Sequence, residues 1–556
     1  MKIIECVPNF SEGKNANIID KITAEMESIS TITLLDVDMG HDTNRTVVTI
    51  VGDPDSVIKS AFLGIKKSLE LINMNIHSGA HARMGSTDVC PFVPISNISM
   101  DECIKYSKIL AEMVATELNI PVFLYEKSAQ NISRSNLANI RFGEYEGMAN
   151  KMKDSNWKAD YGPRKPHDTA GVIAIGARNF LIAYNINLNT QDKKIASDIA
   201  LDIREQGRNK KNNAGKFIRD KKGVPIKKPG ILKDCKAVGW YIEEYGLAQV
   251  SMNLTDFNST PPHIAFEEVR LQARNRGLRV SGSELVGLIP LSAMISAGKY
   301  YLAKQNRSTG IPDKDIIYIA IKSMGLDELD SFDPDEKIID YRINKNNSSL
   351  STLPIYNFIN LLSTESPAPG GGSVSALVGS LSASLTSMVA NLTFGKKKWD
   401  HLFDKMIQIS ENSQILKDKL LKLIDDDTEA FNHVMESYKL PKSNKKEEVN
   451  RLISIEDAMK NATIIPHETL TSCFEAMELS YEVAQYGNIN SISDAGVAAE
   501  IAFAGIRGAS LNIFINLKEI NDHKFCKKIN NSTKNILNLS DQLLVSIREF
   551  IDSKVK

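Results

Sequence analysis

Residues 77–85 read HSGAHARMG, placing two histidines, an arginine and two glycines within nine positions. Imidazole titrates nearest neutrality of all side chains, so His77 or His81 suits a proton shuttle. Glycines beside it let backbone and substrate approach closely. A surface loop with an imidazole capping a helix end accounts for the same residues. A His-x3-His spacing is also half of a metal site, but no third ligand cluster accompanies it. His81 and Arg83 are the candidates here. Upstream, LLDVDMGHDTNRT carries Asp36 and Asp38, which strand alternation puts on one face, and Arg45 follows. A carboxylate there could orient a histidine and stabilise its protonated form; turn chemistry would use it equally well.

A second candidate lies far along the chain. At 100° per residue, residues 420–435 (LLKLIDDDTEAFNHVM) align Leu420, Leu423, Ile424, Phe431 and Val434 as one apolar stripe. Asp427 falls within that stripe, while Asp425, Asp426 and Glu429 fall opposite. A carboxyl on an apolar face is desolvated, its pKa rises, and it can act as a general acid. Pairing with a buried cation of a neighbouring helix is the other reading. Before a Ser- and Ala-rich helical stretch, Gly370, Gly371 and Gly372 form the turn PGGGS. Such a turn can show backbone N–H groups to an anion. It lacks the spacing of a nucleotide phosphate loop, and a hinge explains it as well. FGKKKW (394–399) and YGNINSISD (486–494) add a lysine–aromatic cluster and a polar loop.

The elements that must hold these residues change character near position 345. Before it, strand-like segments (2–8, 32–37, 46–51, 90–94, 122–125) alternate with helix-like ones (15–28, 54–71, 100–117). A second block from about 180 repeats the pattern: strand 181–186, helix 193–205, then a hairpin of 239–243 and 248–254. After the polar stretch NKNNSSLS (344–351) nearly all is helical. The expected architecture is therefore α/β, as two βαβ-type sandwich subdomains (1–180 and 181–343), then a linker (344–351) and an all-α domain (352–556). A cleft between two sheets is a natural ligand site.

Composition excludes several classes. With 42% hydrophobic and 24% charged residues and a net charge of -1, the chain is an ordinary globular protein with no overall affinity for nucleic acid or anionic lipid. Six scattered cysteines form no CxxC pair and no disulfide scaffold. The N-terminus lacks a signal-peptide core, and the apolar stretches read as too short to span a bilayer. The expectation is a soluble cytoplasmic protein. Residues 208–236 hold eleven Lys or Arg against Asp220 and Asp234. They read either as a solvated loop or as a strip for a polyanionic ligand.

Taken together, ECVPNFSEG (5–13), LLDVD (34–38), TNRT (43–46), HSGAHARMG (77–85), DVCPFVP (88–94), IREQGR (203–208), GWYIEE (239–244), APGGGSV (368–374), TFGKKKW (393–399), LIDDDTEAF (423–431) and the YGN loop resemble the bifunctional formimidoyltransferase–cyclodeaminase family of histidine breakdown and folate one-carbon metabolism. The resemblance spans nearly the whole chain. It implies that the first half transfers a formimidoyl group from N-formimidoyl-L-glutamate to N5 of tetrahydrofolate. The second half would then close the product to 5,10-methenyltetrahydrofolate, releasing ammonia. It implies that His81 is the transferase's catalytic histidine, Asp38 its acidic partner, and Asp427 the cyclodeaminase acid. The family's folate-contacting segment falls on Gly162, Pro163, Arg164, Lys165, Pro166, His167, Asp168, Thr169, Ala170 and Gly171. Tetrahydrofolate, polyglutamylated, is expected as co-substrate, with no metal, no nucleic-acid partner and no membrane. A homo-oligomer is expected, an octameric ring being the form the family suggests. The alternative is an active transferase with the helical half serving assembly or folate binding. A non-enzymatic folate scaffold and a formylglutamate donor are further readings.

Overall fold

The computed structural model describes residues 2–41, 43–79, 81–212, 215–221, 223–344 and 349–555. The chain divides into two compact units: Met1–Ala297 with Ile321–Lys345, and Gly298–Ala320 with Asn346–Lys556. Of the linker expected at 344–351, residues 345–348 lie outside the described residues.

The first unit contains two sheets. One is built from β1 (Ile3–Cys6), β2 (Asn9–Phe10), β3 (Thr33–Gly40), β4 (Arg45–Gly52), β5 (Thr87–Ser96), β6 (Val122–Glu126) and β7 (Ile173–Ala177). β1 and β2 follow each other in the slot between β4 and β5, antiparallel to both. β3 flanks β4, and β5, β7 and β6 run parallel. Helices Ala16–Glu27, Pro54–Leu71 and Met100–Glu117 cover one face. Their starts are written locally. Pro54 occupies the first helical position behind the Asp53 cap, and Ser99 with Glu102 forms a capping box. Ile4, Cys6, Ile50, Val57, Ile65, Cys90 and Leu110 fill the core beneath them. Strand alternation turns the intervening residues of β1, β4 and β5 to the opposite face, where the candidate site lies.

Between β8 (Ile182–Leu188) and the next long strand, Arg208–Asn209 (β9) and Lys227–Lys228 (β10) form a short separate ladder. The second sheet is formed by β8 (Ile182–Leu188), β11 (Cys235–Ile242), β12 (Leu247–Leu254) and β13 (Val280–Val286) in the order β11-β12-β8-β13. Every neighbouring pair is antiparallel. The βαβ units read from the sequence are thus split ones: β12 lies between β8 and β11.

The second unit is helical. Gly371–Thr393 packs against Phe403–Lys439 and Ile492–Asn516, with Lys445–Tyr486 and His523–Val555 completing the bundle. Small residues allow close approach: a Cβ on Gly379 or Gly505 would meet Cys473 Sγ at 2.5 or 2.8 Å. Residues 298–320 join this unit. A Cβ on Gly310 would strike Ser410 Oγ at 2.0 Å, and Asn391 Nδ2 donates to the Gly310 carbonyl (2.8 Å). The expectation about apolar stretches needs correcting. Gly371–Thr393 and Ile489–Glu519 are both long and apolar enough to cross a membrane. Their composition is that of tightly packed core helices, rich in Ala, Gly and Ser, and 61% of the first window is buried.

Candidate active sites

The first site is a cleft of about 1230 Å³ within the first unit. Single-ligand pockets usually measure about 300–1,000 Å³, so there is room for two substrates. Its floor is the open face of the first sheet, showing Glu5, Val7, Asn9, Asp36, Asp38, Arg45, Val47, Thr49, Val89 and Pro91. Asn253, Thr255 and Val286 of the second sheet's neighbourhood also line it.

His81 lines this cleft in a network that begins at Asp88. Asp88 is fully buried. Arg45 Nη1 donates to its Oδ2 at 2.6 Å, Arg141 Nη2 donates to the same oxygen, and the Met84 N–H donates to Oδ1 at 3.0 Å. Burial alone would raise the Asp88 carboxyl. The two guanidiniums and these hydrogen bonds outweigh it and hold the group below its ordinary value. Arg45 also grips Asn9 Oδ1 through Nε (3.1 Å) and Nη2.

Arg45 Nη1 lies 3.2 Å from His81 Nδ1, and the Ala82 carbonyl lies 2.6 Å from the same nitrogen. The shorter contact fixes the tautomer: the carbonyl can only accept, so Nδ1 carries the hydrogen, Arg45 acts on the ring through its charge, and the lone pair lies on Nε2. Burial, then the Arg45 and Arg141 charges, push His81 down to about 4. The ring is therefore a neutral base at physiological pH. His77 is different: Arg83 Nε donates to its Nδ1 (3.3 Å), so its Nε2–H donates to the Asn44 carbonyl (2.9 Å). Both ring nitrogens are engaged structurally. Arg83 is buried behind the cleft lining and clamps Glu144 and Glu146, which do line it, at 2.7–2.9 Å.

The structure brings Arg45 to His81 and does not join Asp38 to it. Asp38 lines the same cleft, but no hydrogen bond or ion pair links it to His81 among the described residues. Asp88 takes the central place through Arg45 instead. Residues 162–171 are absent from the cleft lining. The Thr169 carbonyl accepts from Met74 N–H, and the Asp168 carbonyl from Asn75 Nδ2 and Tyr145 Oη. Asn9, Asp88 and Arg141 complete the network unseen from sequence. Asn9 and Asp88 sit inside recognisable motifs, whereas Arg141 had no local signal. The basic segment folds as the β9–β10 ladder continued by the bridges Lys211–Phe217 and Arg219–Pro225, its lysines largely exposed.

The second site centres on Asp427 in the Phe403–Lys439 helix. Leu420, Leu423, Ile424 and Val434 are buried along the same stripe, as helical phase predicts. Burial raises the Asp427 carboxyl, and hydrogen bonds from the Ser373 side chain and backbone partly oppose it. Ser373 Oγ lies 3.0 Å from Asp427 Oδ2. Gly370 precedes the Gly371–Thr393 helix as its cap, and Gly372 faces the acid. A Cβ on Gly372 would come within 2.1 Å of Asp427 Oδ1, so only glycine fits. The glycine turn thus receives a carboxyl of the protein itself. Asp425 is no idle surface acid: it accepts from Ser349 Oγ, Ser351 Oγ and Leu350 N–H at 2.5–2.8 Å.

Three domain descriptions match in chain order: "Formiminotransferase domain, N-terminal subdomain" at residues 3–178, "Formiminotransferase domain" at 183–344, and "Formiminotransferase-cyclodeaminase" at 354–535. The chain belongs to the formimidoyltransferase–cyclodeaminase family. A formimidoyltransferase-cyclodeaminase of Mus musculus is 39% identical over 541 residues, 96% of each chain. A glutamate formimidoyltransferase of Streptococcus pyogenes is 45% identical over 301 residues, 54% of this chain and 93% of that protein. A methenyltetrahydrofolate cyclohydrolase of Methylorubrum extorquens is 40% identical over 201 residues, 36% of this chain and 97% of that protein. Family membership accounts for an α/β half followed by a helical half, each with its own polar centre.

Proposed function

We infer that the chain is a bifunctional folate enzyme of histidine degradation. It transfers the formimidoyl group of N-formimidoyl-L-glutamate to tetrahydrofolate, then closes 5-formimidoyltetrahydrofolate to 5,10-methenyltetrahydrofolate with release of ammonia. The observation that carries this is the family match along both halves, each holding a titratable group tuned to its task.

In transfer, N5 of the folate attacks the formimidoyl carbon, and the bond from that carbon to the glutamate nitrogen breaks. N5 loses a proton and the glutamate nitrogen gains one. His81 lines the cleft, and its unprotonated Nε2 takes the first and returns it as the second. Arg45, fixed by Asn9 and Asp88, keeps the imidazole neutral before the first event, and its charge favours return of the proton in the second. In cyclisation, N10 attacks the formimidoyl carbon and its nitrogen leaves as ammonia. That nitrogen needs two protons to leave: N10 gives up one as it bonds to the carbon, and Asp427, whose carboxyl burial favours in the protonated form, supplies the other.

A folate with a polyglutamate tail is supported by the exposed lysines of the 208–236 segment. Homo-oligomerisation is supported by Leu381, Met388 and Leu392, exposed along the Gly371–Thr393 helix, and light scattering tests it. A reducing compartment, the cytoplasm, is supported by six free cysteines.

The test is a coupled assay. Formimidoylglutamate and tetrahydrofolate should generate methenyltetrahydrofolate absorbance and equimolar ammonia; an absence of both would overturn the reading. A second reading is favoured by the similarity to the Methylorubrum cyclohydrolase: the Asp427 site adds water to the methenyl carbon and opens it to a formyl group. Supplying methenyltetrahydrofolate and comparing its absorbance loss with that for Asp427→Asn decides this.

A further inference from the structure

Glu5 is the least explained polar group of the first site. It lies on β1 in register with Val51 of β4 and Val93 of β5. Its neighbours Ile4 and Cys6 enter the helix-covered core, so alternation turns Glu5 to the cleft, which it lines. It is only 3% exposed. Among the described residues its carboxylate receives no hydrogen bond and forms no ion pair. A buried carboxylate without donors is disfavoured unless a ligand provides them.

Its surroundings agree. Burial raises the Glu5 carboxyl to about 7, with the nearby Arg178 charge acting against this. Among the other acids, Asp88 already has its donors, Asp256 is held by Asn179 (3.1 Å), and Asp36 and Asp38 lie further out on the edge strand β3. Asn9, which holds the Arg45–His81 pair, comes four residues later on the same face. That places Glu5 roughly 13 Å along the floor from the proton-transfer end.

We propose that Glu5 binds the 2-amino-4-oxo edge of the folate's pteridine ring, the edge carrying N3–H and the 2-amino group, and so directs N5 toward His81. A carboxylate matches two parallel N–H donors with its two oxygens. The donors sit on one ring of the bicycle and N5 on the other, so the ring spans the floor between Glu5 and His81. Glu5 is in this account a binding and specificity residue, not a proton carrier. The proposal rests on the folate reading above.

Steady-state kinetics of the full chain test it, with Glu5→Gln and two acceptors, tetrahydrofolate and its 2-desamino-2-methyl analogue. In Glu5→Gln the KM for tetrahydrofolate should rise about 10- to 100-fold, with kcat and the KM for formimidoylglutamate nearly unchanged. Wild type should discriminate against the analogue by a similar factor, and the variant should not discriminate. Circular dichroism and a thermal melt against wild type report that the first unit is folded. If Glu5→Gln fails to fold, Glu5→Asp replaces it, with a smaller KM rise expected. An unchanged tetrahydrofolate KM, a rise in the formimidoylglutamate KM instead, or discrimination surviving in the variant would overturn the proposal. No transfer by the wild type would sink the folate reading itself.

Discussion

The Ser373 hydroxyl stands between two acceptors, 3.0 Å from Asp427 Oδ2 and 3.1 Å from the Ile424 carbonyl. It has one hydrogen. When Asp427 is ionised, the hydroxyl can donate to it. When Asp427 is protonated, the hydroxyl can turn to Ile424 and accept the carboxyl proton. One small side chain thus accommodates both states of the acid.

Ser373→Ala should therefore change the pH profile of cyclisation. Losing a donor to the anion leaves the burial effect less opposed, so the Asp427 pKa moves further up. The alkaline limb of kcat, where the protonated acid is lost, should shift upward by about half to one unit. A pH–rate series on 5-formimidoyltetrahydrofolate measures this, and a downward shift would contradict the arrangement.

Gly372→Ala should abolish cyclisation while sparing transfer. The new Cβ would meet Asp427 Oδ1 at 2.1 Å, closer than any side chain tolerates. Overpacking of this kind costs about 1–3 kcal/mol, and the displaced acid loses its position. Assays of both half-reactions, with a thermal melt, separate the local effect from unfolding.

His81→Ala should lower transfer by about 10²- to 10⁴-fold and leave cyclisation of supplied substrate intact. In the wild type the active base is the neutral imidazole, and burial with two arginines pushes His81 to about 4. Turnover at saturating substrates should consequently persist through pH 6.5, where an ordinary imidazole is half protonated. A limb at 6.5 that disappears in His81→Ala would show that the arginines do not control the ring.

Asp88→Asn should destabilise the first unit by about 3–5 kcal/mol, because Arg45 and Arg141 would lose their shared counter-charge. Asp88 is held below its ordinary value in the folded state, so its contribution is present at neutral pH and is lost only as pH falls through that lowered value. Urea unfolding at pH 7 and at pH 3 should show a smaller gap between variant and wild type at the lower pH.

The two halves differ in how legible they were. Asp427 could be found from helical phase, since 3.6 residues per turn is a local property and Leu420, Ile424 and Val434 declare the buried face. The caps at Asp53 and Ser99 were local too, and so were the Met100–Glu117 helix and the β11–β12 hairpin. Motifs singled out His81, but not which neighbours tune it. Asn9, Asp88 and Arg141 reach it from three separate elements, and no spacing rule joins positions so far apart.

Glu5 shows the boundary most plainly. In the sequence it is one charge within a short strand. That it is buried on the open face, without donors, follows only once β1 is slotted between β4 and β5. Local periodicity and capping determined the elements, and the motif blocks carried the family resemblance. Which side chains converge was decided by strand order and register, because contacts between distant segments arise from packing the whole sheet and not from any stretch of chain alone.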